Sequence, residues 1–238
     1  MAEEERPATL LPDDLSYESW ESHIFDHPIL ELKWWWQDED SGYIQYWPGE
    51  QNDPKRCLAY LTRLFRESGG LLGRFTNWQI DQGLNYLVSN SCSDYMFVLT
   101  NVDLPWVDRR ACFDAMIILH RDLMATVYQH TSEELFRLGL QNEQPTYACF
   151  MWWDVIPLYG RMPVPDADLI DEAVINIFEQ VILMDSEACQ ESAIHGLGHW
   201  HFGVPDRTEP IVKRYLARND ISSGMREYAQ QALHGNIQ

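Results

Sequence analysis

The C-terminal part of this chain repeats itself at a spacing of 36 residues. Glu191, Ala193 and Leu197 correspond to Glu227, Ala229 and Leu233, and Cys189 corresponds to Met225. A glycine follows each leucine closely, at Gly198 and Gly235. A period in this range marks stacked helical hairpins. Each hairpin exposes an apolar face that only a neighbour can bury, so such units come in stacks. The repeat therefore predicts helices packed on helices.

The chain upstream has helical spacing as well. From Pro54, the residues Cys57, Leu58, Leu61, Leu64 and Phe65 share one face, which Gly69-Gly70 ends. Thr76 or Asn77 is placed to cap a helix that turns Ile80, Leu84, Leu87 and Val88 inward. Pro105 opens the longest helix, with Cys112, Met116, Leu119, Leu123 and Val127 on one side. The segment from Asp94 to Leu99 is ambiguous between helix and strand. Glu133 to Leu140 gives a short helix, and the dense apolar stretch from Thr146 to Leu158, with Trp152-Trp153, reads as a core helix. Beyond Pro163 and Pro165, Val174, Ile177, Phe178, Val181 and Ile182 begin a hairpin whose second helix spans about Glu187 to Trp200. Pro205-Asp206 breaks the chain, and a last hairpin pairs Pro210–Arg218 with Ser223–Leu233, capped by Ser222 or Ser223.

The predicted fold is all-α: an irregular helical N-terminal bundle continuing into antiparallel hairpins. Three regions follow, an acidic and partly irregular segment 1–50, a bundle 51–162, and hairpins 163–238 that form one continuous domain with the bundle. The final portion, about residues 168–238, resembles HEAT-type repeats. The resemblance rests on Arg226-Glu-Tyr-Ala-Gln-Gln-Ala-Leu233 and its degenerate copy Gln190-Glu-Ser-Ala-Ile-His-Gly-Leu197. It implies an α-solenoid-like arrangement and protein binding. Some HEAT-like enzymes hold iron through His-Glu pairs that open the second helix of a repeat. The corresponding pairs here are Gln190-Glu191 and Arg226-Glu227, so histidine is absent from both.

Charge narrows the function. The formal net charge is -20, which repels nucleic-acid phosphates and anionic lipids and attracts basic proteins. Thirteen Asp or Glu stand in the first fifty residues against Arg6 and Lys33, and nine lie from Met162 through Asp206 with no Lys or Arg among them. The five cysteines include no CxxC pair and read as reduced core thiols. The start, Met-Ala-Glu-Glu-Glu-Arg, lacks the basic and apolar regions of a signal peptide, and no apolar run reaches transmembrane length. A cytoplasmic location is expected.

Two functional readings follow. The first is a non-enzymatic protein-binding scaffold or inhibitor, in its sharper form a bacterial immunity protein that neutralises a basic toxin or nuclease. Its docking residues would be Trp34, Trp35, Trp36, Asp38, Glu39 and Asp40 near the N-terminus, and Asp168, Asp171 and Glu172 in the repeats. Opposed charge would speed capture and the indoles would anchor the partner. The alternative is a metal-dependent enzyme built on His195, His199 and His201. On a helix, His195 and His199 share a face and reach one zinc ion. Yet His-Gly-Leu-Gly-His lacks the glutamate base of HExxH, its two glycines weaken a helix, and His201 falls off that face. These histidines read better as packing residues at a repeat junction, with no metal or other cofactor expected. No GxSxG is present, and Ser68-Gly69-Gly70-Leu-Leu-Gly73 lacks the Lys and Ser/Thr of a phosphate loop.

Overall fold

A computed structural model describes residues 16–29, 53–140 and 143–237. Among them there is no β-strand, and the protein is all-α. Trp34, Trp35, Trp36, Asp38, Glu39 and Asp40 lie outside the described residues.

Helix α1 (Tyr17–Phe25) is capped by Ser16, whose hydroxyl accepts from the Ser19 amide, and it buries Tyr17, Trp20, Ile24 and Phe25. The sequence reading did not place this helix, because acids and prolines dominate the composition around it. Asp53 caps α2 (Pro54–Arg66), with Pro54 in the first turn where its missing amide costs nothing, and the buried face is the predicted one. A reciprocal Thr76–Gln79 capping box starts α3 (Asn77–Val88). The ambiguous segment is a 3-10 helix, Tyr95–Leu99. Helix α4 (Trp106–Leu119) runs through a π-helical turn, His120–Met124, into the short α5 (Ala125–Val127). Thr131 caps α6 (Ser132–Leu138).

The C-terminal half comprises α7 (Tyr147–Val155), α8 (Ala167–Val181), α9 (Glu187–His201), α10 (Pro205–Leu216) and α11 (Ser223–Ala232). Ser186 caps α9 and Ser222 caps α11. One boundary differs from expectation: α10 starts at Pro205 rather than Pro210. Proline is at home in the first helical position, and Pro210 forfeits only the hydrogen bond that would reach back to the Asp206 carbonyl.

The helices neighbour one another in two rows. One row runs α1, α3, α7, α9, α11; the other runs α2, α4, α8, α10. The rows are joined where α9 packs on α8 and α10, and α10 on α11. Buried apolar side chains from α1 through α11 form one continuous core. Within the repeat, Cys189 and Met225 are both buried, as are Ala193 and Ala229. The small alanines let α9 and α11 lie close. Leu197 is fully buried, whereas its counterpart Leu233 is only partly covered.

Candidate metal centre

Helix α9 presents His195 and His199 on one face, as residues four apart must be. Its glycines have a packing role. A β-carbon on Gly196 would lie 2.3 Å from Phe178 Cε1 and 2.9 Å from Trp153 Cδ1. Only glycine lets the Trp153 indole of α7 settle against α9. There Trp153 meets Phe178 and Trp200 edge-on at 4.6 and 5.7 Å between ring centroids. The residue after Trp153 is Asp154, and this packing delivers its carboxylate to the two imidazoles.

Helix α7 is also fixed at its start. The buried Asp81 of α3 accepts from the Ala148 amide and from the Tyr128 hydroxyl, each at 2.9 Å. Burial disfavours the Asp81 anion and pushes its pKa up to about 6.

The three side chains converge closely. Asp154 Oδ2 lies 2.6 Å from His195 Nε2, and Asp154 Oδ1 lies 2.6 Å from His199 Nε2. The two Nε2 atoms are 3.0 Å apart. His195 is 1% exposed, while the side chains of Asp154 and His199 are 24% and 34% exposed. On its far side, His195 Nδ1 is hydrogen-bonded to the Tyr228 hydroxyl of α11. The Phe150 ring covers the imidazole at 4.7 Å. Burial opposes ionisation of Asp154, but hydrogen bonds from His195 and His199 outweigh it, so its pKa lies below the ordinary carboxylate value.

Protons alone serve this arrangement poorly. Each Nε2 must carry a hydrogen to donate to Asp154. The same two nitrogens then face each other at 3.0 Å with donors opposed. A cation removes the conflict: both nitrogens turn lone pairs inward, the carboxylate joins them, and the His195 Nδ1–H donates to Tyr228. Bonds of about 2.0–2.1 Å to an ion need ligand atoms roughly 3 Å apart, close to the spacing here. Asp154, His195 and His199 thus form a two-histidine, one-carboxylate set with its outer hydrogen bond in place.

The third side chain of the cluster is Asp154, where the metal-enzyme alternative had named His201. His201 is not part of the cluster; its ring lies beside Phe202, and its Nδ1 is buried without a hydrogen-bond partner. Past the glycine-permitted contact the helix turns His201 away from Asp154. Asp154 was missed although it stands in the dense apolar run of α7, where an acid needs a reason. Tyr228 carried a fainter signal, since the repeat has Ser192 in its place.

The acidic docking residues fare unevenly. Asp171 is 2% exposed, so it offers no docking surface. It accepts hydrogen bonds from the Arg161 amide and, at 3.1 Å, from Trp200 Nε1. Asp171 on α8 thus satisfies the buried indole N–H. Asp168 is exposed, and Glu172 is exposed with Arg110 at 3.9 Å.

No family model matches the chain, and no curated protein or solved structure matches it. The class that fold and site define is therefore an all-helical protein carrying a cluster of two histidines and one aspartate.

Proposed function

We propose that this protein is a metal-dependent enzyme that holds one divalent transition-metal ion between Asp154, His195 and His199. The supporting observation is that one ligand atom from each of the three side chains lies within 4.8 Å of the others, with the two imidazole nitrogens 3.0 Å apart, a grouping that a shared cation would reconcile. The mixed nitrogen and oxygen donors suit zinc or iron(II). Three protein ligands leave a coordination position for water or substrate, the composition of catalytic rather than structural centres. A bound ion would acidify that water or polarise a substrate oxygen.

The HEAT-type, solenoid-like stacking is part of the same proposal. Its support is the adjacency of α9 and α11 at the 36-residue offset, with α8/α9 and α10/α11 as hairpins. The histidines stand in the latter part of a hairpin's second helix, so the centre differs in place from the His-Glu pairs of HEAT-like oxygenases.

The reading as an acidic scaffold or immunity protein for a basic partner draws less support. Asp171 is buried, and Glu172 has a cation nearby. Among the described residues no helix is long and apolar enough to cross a membrane.

Metal analysis tests the proposal. Full-length protein, dialysed after incubation with zinc or anaerobic iron(II), should retain one equivalent. Asp154→Asn, His195→Ala and His199→Ala should each lose it, while His201→Ala keeps it. Wild-type protein that retains no metal would refute the centre.

A further inference from the structure

A cleft of about 450 Å³ opens beside the cluster, and both Asp154 and His199 stand in its wall. Its other walls include Phe97, Ile156, Leu158, Tyr159 and Met162, with the Asn90 amide among them. The volume lies within the range of small-molecule sites, and the mixture of apolar walls with a few polar groups is the composition such sites have. Phe97 and Tyr159 are 36% and 53% exposed, unusually wet for large rings. Trp153, 2% exposed, is also in the lining.

The cleft and the cluster are oriented to each other by burial. His195 is closed off by Phe150 and Tyr228, so an ion among the three ligands has protein behind it. Asp154 and His199, the two ligands with exposed surface, are the ones that face the cleft. An ion held by these ligands would meet the cleft on the side of Asp154 and His199.

The chamber wall is held in place. The loop after α7 returns to the end of α9, where Gly160 and Gly203 touch backbone to backbone. A β-carbon on Gly203 would lie 2.5 Å from the Gly160 carbonyl carbon. Arg161 next to it has a positive φ of 56°, and its amide donates to Asp171 at 3.1 Å. A loop tied at this point holds Tyr159 and Met162 at the cleft over the buried Ile156 and Leu158.

Resting on the metal-centre reading, we infer that the substrate is a small molecule with an apolar, ring-sized body and one metal-coordinating oxygen group. The apolar walls take the body, the ion takes the oxygen, and the Asn90 amide offers one further hydrogen bond. A polyphosphate or polycarboxylate is disfavoured by these walls and by the net charge of -20.

Cobalt(II)-loaded full-length protein tests this, because its visible absorption reports both occupancy and a change of ligands. Acetohydroxamate and benzohydroxamate share the metal-binding head and differ in the body. Benzohydroxamate should bind at least about tenfold tighter, the scale expected for burying an added apolar group. Met162→Trp, which fills the cleft, should lower benzohydroxamate affinity at least about tenfold while cobalt stoichiometry stays at one. If that variant does not fold, Phe97→Ala removes a wall instead and should narrow the preference between the two probes. Failure to bind cobalt overturns the metal centre, and this inference with it. One equivalent of cobalt with equal affinity for both probes overturns the substrate class alone.

Discussion

The Tyr228 hydroxyl is hydrogen-bonded to Nδ1 of His195, across 33 residues of sequence and between the two helices that the repeat relates. The last helix thereby orients a ligand carried by α9. Tyr228→Phe removes the hydroxyl and leaves the ring. Metal affinity should fall about 10–100-fold, as for other outer-shell partners. Competitive titration with a chelator checks this, and an unchanged affinity would show that Phe150 alone fixes the imidazole.

Gly196→Ala sets two effects against each other. Alanine is favoured over glycine in a helix by about 1 kcal/mol. Overpacking a filled core costs about 1–3 kcal/mol and sometimes more. The new methyl would meet Phe178 and Trp153, both buried and hemmed in by Trp200, so packing should win. The expected result is a lower melting temperature together with weaker metal binding, as α7 is pushed off α9. A rise in melting temperature would contradict it.

The two repeat leucines should differ. Leu197→Ala empties a fully buried site and should cost about 2–5 kcal/mol. Leu233 is partly covered, so its truncation should cost less, below about 2 kcal/mol. Urea unfolding of both variants measures the difference, and equal losses would place Leu233 deeper than described.

Asp81 supplies a pH test with a definite sign. Burial raises its pKa to about 6 in the folded state, against about 3.9 in an unfolded chain. Between these values the folded protein binds more protons. Its contribution to stability is therefore complete below about pH 4 and is lost as pH rises through about 6. Asp81→Asn keeps an acceptor for Ala148 and Tyr128 but cannot titrate. The stability of wild type relative to Asp81→Asn should decline from pH 4 to pH 7 and level off above. Unfolding midpoints of both proteins across that range decide it; a constant difference would mean that Asp81 does not titrate as described.

Much of the helical architecture was legible because its signals are local. Caps such as Thr76 and Ser222, and the stripe Cys57, Leu58, Leu61, Leu64, Phe65, are written within a dozen residues. Helix α1 was not, since Trp20 and Phe25 are scattered among acids and their burial depends on α2 and α3. The centre was half legible. The pair His195 and His199 follows from helical spacing alone. Asp154 is 41 residues before His195, and its approach depends on Gly196 being small, a fact that exists only between helices. The two glycines weighed against the site in the sequence, because helix propensity is visible there and interhelical distance is not. Asp171 was misread for a related reason: charge is seen in a sequence, but the Trp200 N–H that it satisfies is 29 residues away.

Both histidines ride on α9, which is also the common neighbour of α7, α8, α10 and α11. An insertion or deletion of one residue in α9 would turn everything beyond it by about 100°, scrambling four interfaces and the ligand set together. Evolution therefore has little freedom to move the centre by small steps. The loop from Ile156 to Met162 is different: its side chains face the cleft, while its fixed point is a contact between two glycine backbones. Tyr159, 53% exposed, is the wall residue that descendants of this chain can exchange without disturbing the helices, whereas Ile156 and Leu158 also belong to the core. Variation among relatives, and any laboratory redesign of substrate preference, should accordingly collect in that short loop while α9 stays the same.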